Sequence, residues 1–299
     1  MTSQPMTAPA AGAWKLGDLT VNRLGFGAMR LTGSSAFHLG RPSNRERSIA
    51  VLRQALDLGV NHIDTAAFYF SQLRSANELI NSALAPYPDD LVITTKVGPG
   101  RDVSGEWMPP ATPLQLRGQV EENLRQLGRD HLDVVNLRVL KTGSIGALFG
   151  ALAELRNAGM IRHLGISGVT AEQLAEAQAI APVVCVQNRF GLDARRSEAD
   201  LLLKATGEQG IAFVPFFAIA GEGSESGATG RQSDEILAIA RDHEATPAQV
   251  RLAWTLQQGP HVLAIPGTGN PEHLVQNIAA GALHLSTDEL ARLDPSAAP

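Results

Sequence analysis

The stretch Asn61-His-Ile-Asp-Thr-Ala-Ala-Phe-Tyr69 predicts a short β-strand over His62–Ala66 that ends in polar side chains. Polar side chains end other short apolar runs of the chain in the same way: Lys96, the stretch Asn136–Lys141, Ser167 and the pair Gln187–Asn188. In a closed barrel of parallel strands, the carboxyl ends of all strands meet at one mouth. These polar ends therefore favour a barrel with one functional face.

Short apolar runs alternate with segments of helical period along almost the whole chain. The strand candidates are Arg23–Ala28, His62–Ala66, Leu91–Val97, Leu132–Val139, His163–Ser167, Val183–Asn188, Ile211–Phe217 and His261–Pro266. The helical patterns between them include Arg45–Leu58, Pro113–Leu127, Phe149–Ala158 and Ala171–Ile180. Such alternation admits an open doubly wound sheet or a closed barrel. Because no Gly-x-Gly-x-x-Gly turn joins a strand to a helix, we predict an α/β fold with a single (β/α)8 TIM barrel.

The predicted barrel occupies residues 13–299 as one domain. Residues 1–12 are rich in Ala, Pro, Ser and Thr, and we expect them to form a disordered leader. The segment Trp14–Leu19, with Gly17-Asp18 at its centre, predicts an N-terminal β-hairpin that plugs the end of the barrel opposite the mouth.

Three loops are longer than the usual connection, namely Met29–Asn44, Gly98–Thr112 and Ala218–Gln232. All three follow predicted strands and therefore fall on the C-terminal mouth. The third loop is rich in Gly and Ser and is either a mobile flap or a disordered insertion. Trp107, in the second loop, is a candidate for an apolar wall of the substrate site.

Composition excludes several classes of function. The formal net charge of −5 argues against a general affinity for nucleic acid or for an anionic membrane. The chain has a single cysteine, so it forms no intramolecular disulfide, and no apolar run approaches the ~20 residues that span a bilayer. We expect a cytoplasmic protein that is either a monomer or a homo-oligomer.

Spaced motifs along the chain resemble the aldo-keto reductase superfamily. They are Gly25-Phe-Gly-Ala-Met29, Asp64-Thr-Ala-Ala-Phe-Tyr69, Asn77-Glu78, Thr94-Thr-Lys-Val97, Gly165-Ile-Ser167, Val186-Gln-Asn188, Ile265-Pro-Gly-Thr268 and Gln276-Asn277. The resemblance runs from about Leu19 to Leu293, and the order and spacing of the motifs make it specific. It implies the same barrel fold and the reduction of an aldehyde or ketone to the alcohol, with a hydride that NADPH supplies.

Asp64, Tyr69 and Lys96 match the catalytic positions of that family. Carbonyl reduction needs a proton donor at the carbonyl oxygen, and Tyr69 is the candidate. A free phenol titrates near ~10, so we expect a nearby Lys96 ammonium to lower its pKa and Asp64 to keep that ammonium charged. The alternative for each residue is structural: a buried Asp–Lys pair can be architectural, and a tyrosine at a strand end can belong to the rim.

The fourth strand departs from the family pattern, in which a histidine helps to hold the substrate carbonyl. In Leu132-Asp-Val-Val-Asn-Leu-Arg-Val-Leu-Lys141, we place Lys141 at that position, and a shift of register would place Arg138 there instead. Either cation can stabilise a developing oxyanion, although Lys141 can also be a solvated rim residue. The sub-group of bacterial pyridoxal reductases (pyridoxine 4-dehydrogenases), which the chain resembles most, also lacks the histidine. This implies an aromatic aldehyde such as pyridoxal as substrate.

The resemblance also implies the cofactor site. Its expected residues are Gly27, Met29, Ser167, Gln187, Phe216, Gly267, Thr268, His273, Gln276 and Asn277. Ser167 and Gln187 match the residues that bind the nicotinamide carboxamide, but Gly168 stands where the family commonly has an asparagine. Phe216 is either a surface on which the nicotinamide stacks or ordinary strand core. Because His273 stands where NADPH-using relatives often have arginine, we expect NADPH to be preferred over NADH, but less strictly.

Two alternatives to a carbonyl reductase stay open at this stage. The same site can work mainly in the alcohol-oxidising direction, with Tyr69 as base. The chain can also be a non-catalytic, NADPH-binding regulatory protein. We expect no metal site, because the histidines are scattered, and we expect His62 to fill the barrel core.

Overall fold

Short strands and longer helices alternate in the computed structural model, which describes residues 6–34, 39–140, 142–192, 197–216, 218–219 and 233–293. The strands are β1 (Ala13–Leu16), β2 (Leu19–Asn22), β3 (Phe26–Gly27), β4 (His62–Asp64), β5 (Phe70–Ser71), β6 (Arg74–Ser75), β7 (Val92–Val97), β8 (Leu132–Arg138), β9 (Ile161–Ser167), β10 (Val183–Gln187) and β11 (Ala212–Phe213). The helices are α1 (Arg45–Asp57), α2 (Ala76–Leu84), α3 (Pro113–Leu127), α4 (Gly146–Asn157), α5 (Ala171–Gln178), α6 (Ser197–Glu208), α7 (Asp234–Asp242), α8 (Pro247–Leu256), α9 (Pro271–Ala279) and α10 (Thr287–Leu293).

Seven of the strands form one parallel sheet in the order β11-β10-β9-β8-β7-β4-β3. Residues 262–264 close this sheet into a barrel. On one side Phe213 forms a parallel bridge with Val262, and on the other side Leu24 forms one with Ala264. Hydrogen bonds from Leu263 N to the Phe213 carbonyl (2.9 Å) and from Gly25 N to the Ala264 carbonyl (2.8 Å) secure both seams. The predicted (β/α)8 barrel is therefore confirmed.

The strands are apolar on both faces because helices cover the outside of the barrel. All residues of β7 and all but the last residue of β8 are buried. Several covering helices begin with a capping box, in which a threonine and a glutamine three residues later satisfy each other's backbone N–H groups. The box of Thr170 and Gln173 starts α5, and further boxes at Thr112 and Thr246 start α3 and α8.

The β1–β2 hairpin closes the end of the barrel at which the strands begin. Leu16 and Val21 are fully buried and pack in one apolar cluster with Val92 and Val134 of the barrel strands. Asp18, in the hairpin turn, accepts a hydrogen bond of 2.6 Å from Arg162, near the start of β9. The predicted plug is confirmed, so a ligand of this barrel has access from the opposite mouth.

The expectation of a disordered leader over residues 1–12 is wrong for its second half. Residues Ala8–Ala11 form a 3₁₀-helix, and Ala8 N donates to the Leu58 carbonyl at 2.8 Å. Ala8 is buried because it packs into the main hydrophobic cluster, which extends to Leu293. That residues 13–299 form one domain stays a prediction.

Two other expectations meet the limits of the described chain. The predicted flap falls almost entirely on residues 220–232, which lie outside the described residues, as do residues 35–38 of the first long loop. Within the described ranges, none of the helices combines the length and the apolar character that a bilayer crossing requires.

Candidate active site

A cavity of about 290 Å³ lies at the mouth, where the carboxyl ends of the strands converge. It is lined by nine of the residues that the sequence assigned to catalysis or cofactor binding: Gly27, Met29, Asp64, Tyr69, Lys96, Ser167, Gln187, Phe216 and Gly267. These residues come from separate strands, and the barrel brings them together as predicted.

A buried ion pair stands at the floor of the cavity. Lys96 lies in β7, the strand next to β4, which ends at Asp64, and the Lys96 Nζ is 2.5 Å from Asp64 Oδ1. The same ammonium donates to the Thr65 carbonyl at 3.0 Å. Gln187 Nε2 donates to the other carboxylate oxygen of Asp64 at 2.8 Å. Asp64 therefore fixes both Lys96 and Gln187, which is a larger role than the sequence indicated.

Tyr69 is buried above this pair. The Lys96 ammonium lies 5.0 Å from the centre of the Tyr69 ring, and the two side chains hydrogen bond to each other. Phe68 packs edge to face on Tyr69, with 5.1 Å between ring centres. A phenol, an ammonium and a carboxylate thus lie next to one another at the cavity, as the chemistry of proton transfer requires.

The pKa of Tyr69 differs from our expectation. Burial raises the pKa of this phenol, whereas the Lys96 ammonium and, more weakly, the Arg138 guanidinium act in the opposite direction without cancelling the effect of burial. Burial by itself lowers the pKa of Lys96, but the Asp64 carboxylate and Tyr69 outweigh it and raise the pKa above its ordinary value. At neutral pH both groups therefore keep their protons.

The cation that the fourth strand contributes to the cavity is Arg138. This residue is the last of β8, and its guanidinium donates to Ser167 Oγ at 3.1 Å. Lys141, which we had placed at this position, lies three residues beyond the strand end and outside the described residues. Arg138 lines the cavity, which corresponds to the alternative register of the fourth strand.

Two glycines bring the first strand and the end of the last strand into contact at the cavity wall. A Cβ atom on Gly27 would lie 2.5 Å from the Ile265 carbonyl oxygen, and one on Gly267 would lie 2.4 Å from the Gly27 carbonyl oxygen. Any larger residue would force these backbones apart. The closure of the barrel thus explains why glycine occupies both positions.

The outer part of the predicted cofactor site surrounds the start of α9 and does not line the cavity itself. α9 begins at Pro271, Asn270 accepts from Glu272 N, and Thr268 Oγ1 accepts from Asn270 N at 3.0 Å. His273 and Gln276 are exposed on the first turns, whereas Asn277 is buried. Their predicted contacts with the adenosine end of a cofactor stay predictions.

The loop after β7 contacts the segment that carries Tyr69. Trp107 packs against Phe68, with 5.7 Å between ring centres, and is half exposed, so it supports the cavity wall from behind. The buried Arg101 was not predicted. Its Nη1 donates to the carbonyls of Phe68 (3.2 Å) and Phe70 (3.0 Å), on either side of Tyr69.

Further lining residues that the sequence analysis missed are Arg30, Phe68, Pro215, Ala218, Ile219, Ile265 and Pro266. Most of them flank a residue that was predicted, for example Phe68 beside Tyr69 and Pro215 beside Phe216. Adjacency to a predicted strand end was therefore the signal that could have found them.

His62 lies below Asp64 in the barrel interior. Its Nε2 is 3.2 Å from Thr94 Oγ1, and burial lowers its pKa to about 4. The ring is therefore neutral at neutral pH and fills the core, in line with the structural interpretation. In the described ranges no group of three His, Cys, Asp or Glu side chains is arranged to hold a metal ion.

Comparison with known proteins places these features in context. Residues 23–298 match the model of the aldo/keto reductase family. Pyridoxine 4-dehydrogenase of Escherichia coli (strain K12) is 45% identical over 292 residues, which cover 95% of this chain and 98% of the relative. A solved thermostable aldo-keto reductase in complex with the inhibitor epalrestat has a TM-score of 0.79 at 28% identity, covering 94% of this chain and 98% of its own. An aldo-keto reductase from Klebsiella pneumoniae in complex with NADPH has a TM-score of 0.75 at 26% identity, covering 94% and 93%.

Proposed function

Because the chain belongs to the aldo/keto reductase family, we propose that it is an NADPH-dependent reductase that converts a small aldehyde or ketone into the alcohol. The observation that carries this proposal is the assembly of Tyr69, Lys96 and Asp64 in one cavity. An aldo-keto reductase from Klebsiella pneumoniae binds NADPH, which supports the choice of cofactor.

The residues present fit a nicotinamide. Gln187 lines the cavity together with Ser167, and its buried Oε1 accepts no hydrogen bond from any residue that the structure describes. A carboxamide N–H is the kind of donor that such an acceptor requires. Phe216 offers an aromatic face, and the start of α9 offers backbone N–H groups for phosphate. When bound, NADPH supplies the hydride that reduces the carbonyl carbon.

The proton comes from Tyr69 in this proposal. Its raised pKa keeps the phenol protonated at neutral pH, so the group is ready to donate to the carbonyl oxygen. Donation leaves a phenolate that lies beside the Lys96 ammonium, which Asp64 holds in place. The buried cation therefore stabilises the charge that appears on Tyr69 as the proton leaves.

Arg138 donates hydrogen bonds to the oxyanion that develops on the substrate carbonyl. Its guanidinium lines the same cavity as Tyr69 and is close enough for each group to affect the pKa of the other. A fixed cation at the developing oxyanion acts without reorganisation of the site during the reaction. This replaces a neutral histidine donor with a permanent positive charge.

For the substrate we propose an aromatic aldehyde, with pyridoxal as the first choice. Pyridoxine 4-dehydrogenase of Escherichia coli is 45% identical to the chain. Phe68, Phe216 and Ile265 give the cavity apolar walls that suit a flat ring. Oxidation of the corresponding alcohol uses the same groups in reverse, with the Tyr69 phenolate as base.

The test is to follow NADPH absorbance with pyridoxal, other aromatic aldehydes and short ketones, and to repeat the assay with NADH. We expect turnover of aromatic aldehydes and a higher kcat/KM with NADPH than with NADH. Absence of turnover with every carbonyl compound would contradict a reductase, and a clear preference for NADH would contradict the assigned cofactor.

A further inference from the structure

The guanidinium of Arg138 is a cation without a carboxylate partner in the part of the chain that the structure describes. The other cation at the floor of the cavity, Lys96, has its charge matched by Asp64 at 2.5 Å. Arg138 instead donates Nη1 to a neutral hydroxyl, Ser167 Oγ, at 3.1 Å. Among Asp64, Lys96 and Arg138, one positive charge is therefore left for a ligand to match.

The guanidinium is held in place by its neighbours. It lies 4.8 Å from the centre of the Phe216 ring, in a cation–π contact. Gly168 provides the space for it, since a Cβ atom there would lie 2.8 Å from Arg138 Nη1, and the backbone at Gly168 has a φ of +72°. A hydroxyl, an aromatic face and a glycine thus fix one orientation of this side chain.

Burying an unpaired cation in a cavity has an unfavourable desolvation free energy, which a bound group of opposite charge can offset. Burial lowers the pKa of Arg138, which shows that the surroundings disfavour its charge. An arginine stays protonated even so, because its ordinary pKa lies above ~12. An anionic or strongly accepting group on the substrate offsets this penalty and gains binding energy from it.

The shape of the Arg138 guanidinium further restricts the class of ligand that can bind. A guanidinium is a planar fork that donates to two oxygens side by side, whereas a histidine offers one N–H at a time to a single oxygen. Within the described residues, the guanidinium donates only Nη1, to Ser167 Oγ, which leaves its other N–H groups for a second and third contact. Two adjacent substrate oxygens, one of them the carbonyl oxygen that Tyr69 protonates, match this arrangement.

We infer that Arg138 makes the enzyme selective for aromatic aldehydes that carry an acidic hydroxyl ortho to the carbonyl group. One end of the fork binds the carbonyl oxygen, and the other binds the ortho oxygen as hydroxyl or phenolate. This inference rests on the proposed reductase function, since it concerns the substrate of that same site.

Three aldehydes test it: salicylaldehyde (2-hydroxybenzaldehyde), 4-hydroxybenzaldehyde and benzaldehyde. The ortho and para hydroxyls both donate electrons to the carbonyl, and the internal hydrogen bond of salicylaldehyde is the same with every enzyme variant, so a change in the ratio of the two kcat/KM values between variants isolates the contact with Arg138. For the wild-type enzyme with NADPH, we expect this ratio to favour salicylaldehyde by ~10- to 100-fold, the size of a charge-assisted contact.

Two variants separate the fork from general catalysis. Arg138→Met removes the cation, and Arg138→His restores a single donor, so both are expected to turn over all three aldehydes more slowly. The informative readout is the ortho-to-para ratio, which we expect to fall to within ~3-fold of unity in both variants. Arg138→His also guards against misfolding of the first variant, because an imidazole is smaller than the guanidinium side chain.

The outcomes are distinct. A ratio that is the same in wild type and in both variants overturns the inference, as does a wild-type ratio near unity, and either result leaves the reductase function intact. A wild-type enzyme that reduces pyridoxal or a short ketone but none of these three aldehydes also overturns the inference, and one that reduces no carbonyl compound at all overturns the proposed function itself. A ratio that collapses in both variants supports the fork.

Discussion

Tyr69 is the residue on which the proposed chemistry depends, and the chain provides its own control. The only other tyrosine, Tyr87, donates its hydroxyl to the Leu127 carbonyl at 2.6 Å, on the outside of the barrel. We expect Tyr69→Phe to lower kcat by ~10²- to 10⁴-fold, because the proton donor is lost, and to leave the affinity for NADPH nearly unchanged. Steady-state kinetics and NADPH fluorescence titration measure both quantities. Tyr87→Phe is expected to keep its kcat, and near-normal kcat in Tyr69→Phe would remove the assigned role.

The direction of the Tyr69 pKa shift predicts the pH dependence. Burial raises this pKa above the ordinary value near ~10, so the acid form persists through the neutral and mildly alkaline range. Aldehyde reduction needs the protonated phenol, and we expect its kcat/KM to stay level from pH 6 to 9 and to fall only at higher pH. Alcohol oxidation needs the phenolate and is expected to become faster as pH rises over the same range. A reduction rate that is lost with an apparent pKa near 7 would show that another group is the acid.

At the residue scale, motif spacing made most of the inner site predictable, and Arg138 shows where that method fails. Asp64, Tyr69, Lys96, Ser167 and Gln187 sit at fixed offsets from strand ends, so the fold brings them together. In the fourth strand two cations lie three residues apart, and only the point at which β8 ends decides between them. Strand ends are the least certain feature of a sequence pattern, so the choice of Lys141 over Arg138 could not be made safely.

At the scale of elements, the loop between β7 and α3 holds the segment that carries the acid. Arg101 connects the two: besides its bonds to the Phe68 and Phe70 carbonyls, its Nε donates to the Gly105 carbonyl at 2.9 Å. The guanidinium also packs 4.4 Å from the centre of the Phe70 ring. Arg101 is therefore a positioning residue for Tyr69, although it does not line the inner cavity.

We expect Arg101→Ala to lower kcat by ~10-fold or more while KM changes less, because small displacements of a catalytic group are costly. Arg101→Lys is expected to be almost as slow, since an ammonium cannot reach three carbonyls in the geometry of a fork. Val103→Ala, a change at a side chain that is 98% exposed in the same loop, is the control and should be neutral. Hydrogen exchange of the peptides around residues 66–76 reports whether the segment has loosened. If these peptides exchange faster in Arg101→Ala while kcat stays unchanged, Arg101 orders the segment but does not position Tyr69 for catalysis.

Elements were easier to predict than the loops between them. Segments of helical period located α3 exactly and α5 to within two residues at its end. The β5–β6 hairpin after Tyr69 was missed because its strands have two residues each, which is too short for a periodic signal. Arg101 was missed for a related reason: its partners are backbone carbonyls, and a sequence carries no pattern for those.

At the scale of the whole molecule, the interior of the barrel makes stability depend on pH. His62 is buried with a pKa of about 4, whereas the unfolded chain protonates this histidine near ~6.5. Between these two values the unfolded state binds more protons than the folded state, so the free energy of unfolding falls as pH falls.

We expect the wild-type protein to lose about 2 kcal/mol more stability than His62→Gln between pH 7 and pH 5, since glutamine does not titrate. Urea unfolding at both pH values measures this difference. Other titrating groups, such as His261, are the same in both proteins and cancel. Equal losses in the two proteins would mean that His62 takes up its proton without unfolding.

The closed barrel itself was predictable because alternating strands and helices leave few topologies, and the absent glycine fingerprint removed the main competitor. The lengths of the strands were not predictable from the sequence. Candidates of six or seven residues at the first and seventh strands shorten to two residues in β3 and β11, and beyond these residues the pairing continues, in the described chain, only as isolated bridges at Leu24 and Phe216. Local pattern cannot reveal this, because closure depends on partners that are distant in sequence.

The seams formed by residues 262–264 also have a consequence for synthesis on the ribosome. Translation proceeds from the amino terminus, so β3 and β11 are made long before the stretch that joins them. Until then the nascent sheet has two bare edges, each able to recruit a strand from another molecule. Residues 262–264 are thus the part of the polypeptide that removes both exposed edges, and with them a route to aggregation.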